Sequence, residues 1–554
     1  MEAGGATLRI AAPTPEAVWG AGRVLRFLPA SAIEEGKSVL LRFHPAVEGA
    51  LTARWEVRPG ERWARVRLLF TPGTEGQCAL GYHLAWRKPL AEVQELLLPM
   101  MWHRRRLPSR PYTLLSPFTP TPVALAQCVG PRTWGVVADP AEIPFAWPDR
   151  REPLFGLMIR DFPGRVQPAI YGPVPGTDRA RARPRQAIAF SFRVMALPDD
   201  WYAAFRVAAD EVFGLRDYRT NVGTSLTEAA LNMIDLVMDD EHGGWWEEAR
   251  APYQIESMNG STHASPLTTL SLYRLTGDPQ VYRRRALPTM EFLLSRSHAH
   301  FSPVPENTGR YTPGSMRGPV NLYGTTGFGG LWQLTQCRTP AFRQIALPEE
   351  GIRPTAGYSH AQPFEEWLAR YLLTGEDGAL KQARALADEY LEGFVWKAPT
   401  QELSPIPFFL LSFIPDWEGL LRLYEVTGER RYLDGAAMGA RLLMTGIWTQ
   451  PTIPEGEVTV HPGGDYLGDV PQHIWWKGPV QFRLGHPRKA GDVREERVPA
   501  WVPANVGLGF EQPVTYTSGN TGCRMIYQAA WAPNFLRLAA YTKDKTFETY
   551  ARNA

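Results

Sequence analysis

Cysteine is scarce in this 554-residue sequence. The four cysteines, Cys78, Cys128, Cys337 and Cys523, lie far apart and form no C-x-x-C pair. This spacing excludes a zinc ribbon, and a disulfide framework is not expected in a chain of this size. A chain this long is expected to fold into more than one domain rather than around one core.

The sequence also lacks an excess of charge of one sign. Its formal net charge is +2, so there is no electrostatic reason to expect a nucleic-acid partner. No apolar run is long enough for a membrane span, and none is expected. Met1 is not followed by the basic and apolar regions of a signal peptide. The location is therefore left open, with a secreted or periplasmic protein as one expectation.

Aromatic residues, in contrast, are abundant. The chain has 19 tryptophans, and several lie in glycine- and proline-rich stretches rather than in periodic apolar segments. An exposed indole ring is a suitable surface for a pyranose, which presents C–H groups to the π system. Tryptophan also packs inside large helical cores, so the number of tryptophans does not show where a sugar-binding cleft would lie.

Two halves of the chain differ in the period of their apolar residues. Up to about residue 198, apolar and polar residues alternate in short runs bounded by Gly or Pro, which predicts an antiparallel β-sandwich. The predicted strands are 38–43, 51–57, 63–70, 134–138, 154–159 and 187–194. From Trp201 the spacing is that of amphipathic helices, with Asp200 as the predicted N-cap. The predicted domains are therefore 1–198 and 199–554, and we expect the second to lack a C-terminal part because Tyr550–Ala554 lies within a predicted helix.

A turn sequence recurs in the helical half. The segments Leu272–Asp278, Tyr371–Glu376 and Leu423–Glu429 each contain Thr-Gly followed by an acidic residue, and Ala540–Asp544 matches them less well. In each segment one helix would end at the turn and a second would begin just after it. The repeat predicts an array of helical hairpins.

This Thr-Gly turn between paired helices resembles the turns of the (α/α)-toroid carbohydrate-active enzymes, which include polysaccharide lyases and glycoside hydrolases. A β-sandwich placed before such a toroid is similar to several of these families. The resemblance covers about 200–554 and indicates no single family. It implies a multidomain α+β protein with an N-terminal antiparallel β-sandwich, an (α/α) toroid and a glycan-cleaving site.

The turns also predict where a site would lie. If each first helix ends at its Thr-Gly turn, its start lies about thirteen residues earlier, and all the starts share one end of the array. Counting back from the turns reaches, in order, Asn259 and His263, Tyr358 and His360, and Asp416 to Glu418. A glycine-rich stretch from Val320 to Gly330, which contains Tyr323, is predicted to be a further loop at this end.

These residues fit a polysaccharide lyase that cleaves a uronic-acid-containing glycan by β-elimination. In that reaction a polar side chain neutralises the uronate carboxylate, a base removes the C5 proton, and an acid protonates the leaving oxygen. The predicted catalytic residues are His263, His360, Tyr358, Tyr323 and Asn259. The predicted substrate-binding residues are Arg317, Trp245, Trp246, Trp417, Trp475, Trp476, Asn321 and His473.

A glycoside hydrolase is the alternative, because two carboxyl groups can flank a scissile bond. The available acids are Glu365, Glu366, Asp416 and Glu418. Glu365 and Glu366 lie just inside a predicted helix N-terminus, where carboxylates commonly stabilise the helix dipole. The acid-poor, His/Tyr/Asn-rich character of the other loops favours the lyase.

A catalytically silent glycan-binding protein is a third hypothesis. No cofactor is expected, and no metal site either, because the histidines show neither H-x-H nor H-E-x-x-H spacing. The expected partner is an acidic oligo- or polysaccharide substrate, with no nucleic acid and no membrane span.

Overall fold

The fold is given by a computed structural model. The residues that it describes are 8–10, 25–27, 29–45, 49–84, 86–99, 102–103, 113–146, 152–161, 164–219, 223, 225–240, 245–246, 251–252, 266–296, 324–354, 362–397, 415–464, 494–508 and 528–554.

The N-terminal region consists of antiparallel strands. In chain order they are β1 (Leu8–Ile10), β2 (Leu25–Phe27), β3 (Pro29–Glu35), β4 (Ser38–Phe43), β5 (Gly49–Val57), β6 (Trp63–Pro72), β7 (Gly76–Gln77), β8 (Leu80–His83), β9 (Val93–Leu98), β10 (Trp102–His103), β11 (Leu114–Leu115), β12 (Val123–Cys128), β13 (Thr133–Ala138), β14 (Gly156–Arg160), β15 (Val166–Gly172), β16 (Arg181–Ala182) and β17 (Ile188–Leu197). Each of the six runs predicted to be strands coincides with one of them.

Two large sheets are formed within the described residues. Their spatial orders are β11-β14-β15-β8-β1-β2 and β10-β9-β12-β13-β17-β6-β5-β4-β3. The sheets pack on each other through alternating apolar side chains. Tyr82 of β8 lies 5.7 Å from Trp55 of β5 and 5.0 Å from Phe192 of β17, between ring centroids. The prediction of an antiparallel N-terminal β region is confirmed.

Helices follow from Trp201 onwards, so the chain is a mixed α+β protein. They are α1 (Trp201–Arg206), α2 (Leu226–Met238), α3 (Pro266–Thr276), α4 (Pro279–Val281), α5 (Leu287–Arg296), α6 (Thr325–Leu334), α7 (Pro340–Ala346), α8 (Pro363–Thr374), α9 (Asp377–Tyr390), α10 (Trp417–Thr427), α11 (Arg430–Met444), α12 (Gln528–Thr542) and α13 (Lys545–Asn553). Asp200 caps α1 as predicted, accepting a hydrogen bond from the Ala203 N–H at 2.8 Å. Three two-stranded ribbons are present in the described residues: β7 with β16, β18 (Trp245–Trp246) with β19 (Ala251–Pro252), and β20 (Glu457–Val460) with β21 (Glu496–Pro499).

The Thr-Gly turns join paired helices. The glycine takes the left-handed conformation that ends a helix, with φ of +74° at Gly375 and +72° at Gly428. The threonine hydroxyl closes the turn on both sides. Thr374 Oγ1 donates to the Arg370 carbonyl at 2.8 Å and accepts from the Glu376 N–H at 3.2 Å. The α12–α13 turn has the same bonds, and Lys543 (φ +62°) stands in the place of glycine.

One predicted loop is a helix. The stretch from Val320 to Gly330 was expected to be a glycine-rich loop, but Thr325–Leu334 forms α6. Its glycines allow close packing of neighbouring helices. A Cβ at Gly329 would lie 2.6 Å from Leu373 Cδ1 of α8. Tertiary packing therefore outweighs the low helix propensity of glycine here.

Two apolar cores hold the described helices. The larger core is continuous from both sheets through α1 into the α8–α13 hairpins. The smaller one joins α3, α5, α6 and α7 and includes Leu270, Met290, Phe328 and Phe342. No helix in the described part of the chain is long and apolar enough to cross a membrane.

Candidate functional site

Polar contacts join the N-terminal ends of α6, α8 and α10 to one another and to the middle of α12. Four carboxyl residues make these contacts, and we call them the carboxyl row: Glu366, Glu365, Asp416 and Glu418. Each pair of neighbouring helices is joined by at least one of them. The contacts place the N-termini of α6, α8 and α10 at a shared end, opposite the Thr-Gly turns.

Glu366 caps a neighbouring helix. The N-cap of α6 is Gly324, which has no side chain to receive the free N–H groups of the first turn. Glu366 of α8, only 1% exposed, supplies the acceptor. Its Oε2 accepts from the Thr326 N–H at 2.7 Å and from the Thr326 hydroxyl at 3.0 Å. A side chain at position 324 would fill this space, since a Cβ there would lie 2.5 Å from Glu366 Oε1.

Glu365 faces the start of the next hairpin. It closes a capping box on α8, where its Oε2 accepts from the Gln362 N–H at 2.9 Å. Its carboxyl is also hydrogen-bonded to that of Asp416. Asp416 is the N-cap of α10 and accepts from the Gly419 N–H at 3.2 Å, while its own N–H donates to the Tyr390 hydroxyl at 2.8 Å.

The surroundings of Glu365 shift its pKa. Burial raises the pKa of Glu365 well above its usual range, and the charge and hydrogen bond of Asp416 raise it further. The Gln362 N–H and Arg422 act in the opposite direction but more weakly. Burial also raises the pKa of Tyr390, against the effect of the Asp416 N–H. Glu365 is therefore a carboxyl group suited to hold a proton under conditions in which exposed carboxyls are ionised.

Glu418 extends the row to α12. Its carboxyl accepts a hydrogen bond from the Asn534 side-chain amide, and Arg537 donates to the Asn534 oxygen at 2.6 Å. Burial raises the pKa of Glu418, and the Asn534 bond partly opposes this. Asn534, Tyr390 and Thr326 were not predicted, because their sequence positions give no sign that they meet carboxyl groups from other hairpins.

Most of the predicted lyase residues lie outside the described part of the chain. They are Asn259, His263, Arg317, Asn321, Tyr323, Tyr358, His360, His473, Trp475 and Trp476. In the sequence, the first seven of them precede α3, α6 or α8, whereas His473, Trp475 and Trp476 lie between β20 and β21. Tyr323 directly precedes Gly324, and His360 precedes Gln362 by two residues.

Two predicted substrate-binding tryptophans are buried. Trp417 is 3% exposed, and its ring stacks on Phe535 with 5.2 Å between centroids. Trp245 is 8% exposed, with the Arg285 guanidinium 4.6 Å from its ring centroid. These positions do not support the predicted substrate-binding roles, because a buried ring offers little surface to a sugar. For Trp246 the structure describes only the backbone, in β18.

Comparisons with known proteins assign no family. No protein-family model and no curated protein matches the sequence. A solved structure of a polysaccharide lyase aligns with 99% of this chain and 85% of its own length, at 10% identity and a TM-score of 0.42. The GH36 α-galactosidases AgaB and AgaA of Geobacillus stearothermophilus each align with 78% of this chain and 66% of their own length, at 9% and 11% identity and TM-scores of 0.26 and 0.25. Similarity at this level assigns neither a fold family nor a reaction.

The side chains themselves define the chemistry available. A protonated carboxyl group at Glu365 can donate a proton, and an ionised carboxylate can accept one. Within the described ranges, no group of three or more His, Cys, Asp or Glu side chains is placed to hold a metal ion. The carboxyl row is therefore a candidate for general acid–base catalysis.

The close approach of α10 to α8 at Gly419 can be tested by substitution. A Cβ at Gly419 would lie 2.6 Å from Glu365 Oε1. We expect Gly419→Ala to lower the free energy of unfolding by about 1–3 kcal/mol, since such a clash forces neighbours apart. Urea unfolding followed by circular dichroism measures the change.

Gly378 provides a matched control for that substitution. It also lies in the first turn of a helix, α9, and a Cβ there would meet nothing within 4 Å. Gly378→Ala should leave the free energy of unfolding unchanged or raise it by up to about 1 kcal/mol. Equal effects of the two substitutions would contradict the close contact of Gly419 with Glu365.

Proposed function

We propose that this protein is a carbohydrate-active enzyme that cleaves a uronic-acid-containing glycan by β-elimination. The observation that supports this most is the meeting of the N-terminal ends of α6, α8 and α10. Of the residues predicted for the reaction, Tyr323 precedes α6 in the sequence, Tyr358 and His360 precede α8, and Asn259 and His263 precede α3. A site at this end would bring together groups from separate hairpins, as acid–base catalysis on a polymer requires.

In the proposed reaction, Asn259 neutralises the uronate carboxylate and lowers the pKa of the C5 proton. Tyr323, Tyr358, His263 and His360 supply the base and the acid that protonates the leaving oxygen. The C5–H electrons form the C4=C5 double bond as the bond to the leaving oxygen breaks. No external oxidant or water is consumed.

The carboxyl row is compatible with an acidic substrate. Four ionised carboxylates would repel a uronate, but the raised pKa values of Glu365 and Glu418 favour their neutral forms. The dipoles of α6, α8 and α10 also favour an anion near their N-terminal ends. The balance of charge at this end therefore permits binding of a sugar acid.

An (α/α) toroid on residues 199–554, after a β-sandwich on 1–198, is part of the proposal. Contacts between the first and last helices support a closed arrangement. The Tyr202 hydroxyl of α1 donates to Asp544 at 2.9 Å, and Arg552 of α13 lies 3.3 Å from Asp217. In an open row of hairpins the first and last members would be far apart.

Glycoside hydrolysis is the second candidate, and the raised pKa of Glu365 favours it. Hydrolases commonly keep one carboxyl group protonated and a second ionised. The direct hydrogen bond between the carboxyls of Glu365 and Asp416 leaves no room for a sugar between them, so Glu418 would have to act as the second catalytic carboxyl.

The reaction class can be assigned by its products. We expect incubation of the protein with a panel of uronate-containing polysaccharides to produce absorbance near 235 nm, from unsaturated chain ends. His263→Ala and His360→Ala should abolish this signal without changing the circular dichroism spectrum. New reducing ends without that absorbance would indicate the hydrolase, and full activity in both variants would contradict the proposed catalytic histidines.

A further inference from the structure

A groove in the β region lies apart from the carboxyl row. It has a volume of about 600 Å³, within the range of pockets that bind small molecules. Its walls come from the ends of strands in both sheets. Trp86 follows β8 of the smaller sheet, Trp134 belongs to β13 of the larger one, and Pro198 follows β17.

The two tryptophans are held rigidly. Both are half-buried and pack against the apolar core, while the remainder of each side chain lines the groove. An indole that is fixed on one side and open on the other binds a sugar face at little cost in side-chain entropy. Such a pair gives the groove apolar surfaces suited to the C–H groups of a pyranose.

A single charged side chain lines the groove, that of Arg132. It is exposed, and among the described residues no carboxylate pairs with it. Neighbouring cations are already paired, Arg87 with Asp161 and Lys88 with Glu92. Arg132 is thus an available guanidinium beside two indoles.

The turn that carries Arg132 is well defined. The Cys128 N–H donates to the Arg132 carbonyl at 3.0 Å, and the Arg132 N–H donates to the Gly130 carbonyl at 2.7 Å. Gly130 has φ of +88°, which favours glycine and permits the tight turn. The guanidinium is therefore attached to a fixed backbone rather than to a long flexible loop.

We propose that this groove binds an acidic saccharide, with the sugar ring against Trp86 or Trp134 and its carboxylate on Arg132. An arginine forms two parallel hydrogen bonds with a carboxylate, and this geometry selects a uronate over a neutral sugar. The site would hold a glycan chain on the β region, at a distance from any cleavage. It does not depend on the reaction proposed above.

Cys128 lines the same groove and has a free thiol, which gives a local readout. We expect an oligogalacturonate to slow alkylation of Cys128 by iodoacetamide in the full chain, followed by peptide mass spectrometry. Cys337, exposed on the α6–α7 turn, should react at an unchanged rate. The carboxyl-reduced, neutral form of the same oligosaccharide should give little protection.

Substitutions test whether the protection of Cys128 depends on Arg132 and Trp134. Arg132→Ala should raise the concentration of oligogalacturonate needed for half-protection by about tenfold or more. Trp134→Leu, which keeps apolar packing, should have a similar effect, with thermal unfolding as the check of its fold. Arg67→Ala is the matched control, because Arg67 is an exposed arginine on β6 that does not line the groove.

Three results would overturn the inference. They are no protection of Cys128, equal protection by the neutral oligosaccharide, and equal protection in Arg132→Ala. Absence of glycan cleavage in the product assay would overturn the proposed reaction but not this site, because the alkylation readout is independent of turnover.

Discussion

Replacing Glu366 with alanine is expected to lower the free energy of unfolding by about 3 kcal/mol, the largest effect on stability that we predict. The side chain is 1% exposed and accepts both the N–H and the hydroxyl of Thr326. Its removal leaves the partly buried donors of Thr326 at the start of α6 without this acceptor and opens a cavity between α6 and α8. Urea unfolding monitored by circular dichroism gives the free energy.

Glu389→Ala is the control for that loss. Glu389 is an exposed residue of α9 that has no charged partner among the described residues, and its truncation should change the free energy of unfolding by less than about 0.5 kcal/mol. Glu366→Gln should fall between the two, because glutamine keeps one acceptor oxygen and loses the charge. A stability of Glu366→Ala equal to that of Glu389→Ala would show that Glu366 does not cap α6.

The sequence was sufficient to predict the hairpins because their turns are encoded locally. A Thr-Gly pair supplies both the hydroxyl that closes the last helical turn and the residue that adopts positive φ, as at Thr427 and Gly428. The strands were predicted for a similar reason, since alternation along one segment shows which face is buried. Both features depend on residues within a few positions of one another.

The contacts of the carboxyl row could not be predicted in this way. Glu366 meets Thr326 across 40 positions of sequence, and Glu418 meets Asn534 across 116. Nothing near either carboxyl specifies which helix will lie beside it. The prediction that Glu365 and Glu366 serve their own helix dipole was therefore incomplete, because both also contact a neighbouring hairpin.

The packing of Trp417 could not be predicted from neighbouring residues either. It follows the predicted N-cap Asp416 and was expected to bind substrate, but its ring stacks on Phe535 of α12 in the core. The sequence placed it correctly at the start of a helix. Which face of α10 is covered depends on α12, more than a hundred residues later.

Replacing Glu365 with glutamine distinguishes the two candidate reactions. It is expected to lower kcat by about 10²–10⁴-fold if Glu365 donates a proton, as in glycoside hydrolysis, and to leave turnover intact if the predicted Tyr and His residues carry out β-elimination. The amide cannot supply that proton. It can still accept the Gln362 N–H, because a capping box is formed by either Glu or Gln at this position. The local structure is therefore retained, and the assay compares initial rates of product formation at several pH values.

The pH dependence of the free energy of unfolding distinguishes a catalytic role of Glu365 from a purely structural one. Because the folded-state pKa of Glu365 is raised above its unfolded value of about 4.3, its contribution to stability is complete below that pH. The contribution is lost as the pH rises through the folded-state pKa. Glutamine does not titrate, so Glu365→Gln should become more stable relative to the unsubstituted protein as the pH increases from 4 to 7.

Glu389→Gln provides the reference for both measurements, since it removes an exposed carboxylate without a partner in the described structure. It should leave the rate and the pH dependence of unfolding unchanged. A gain in stability together with a loss of turnover in Glu365→Gln would identify a carboxyl group kept in an unfavourable environment for function. Loss of stability at neutral pH with turnover intact would instead assign Glu365 to the attachment of α8 to α10 alone.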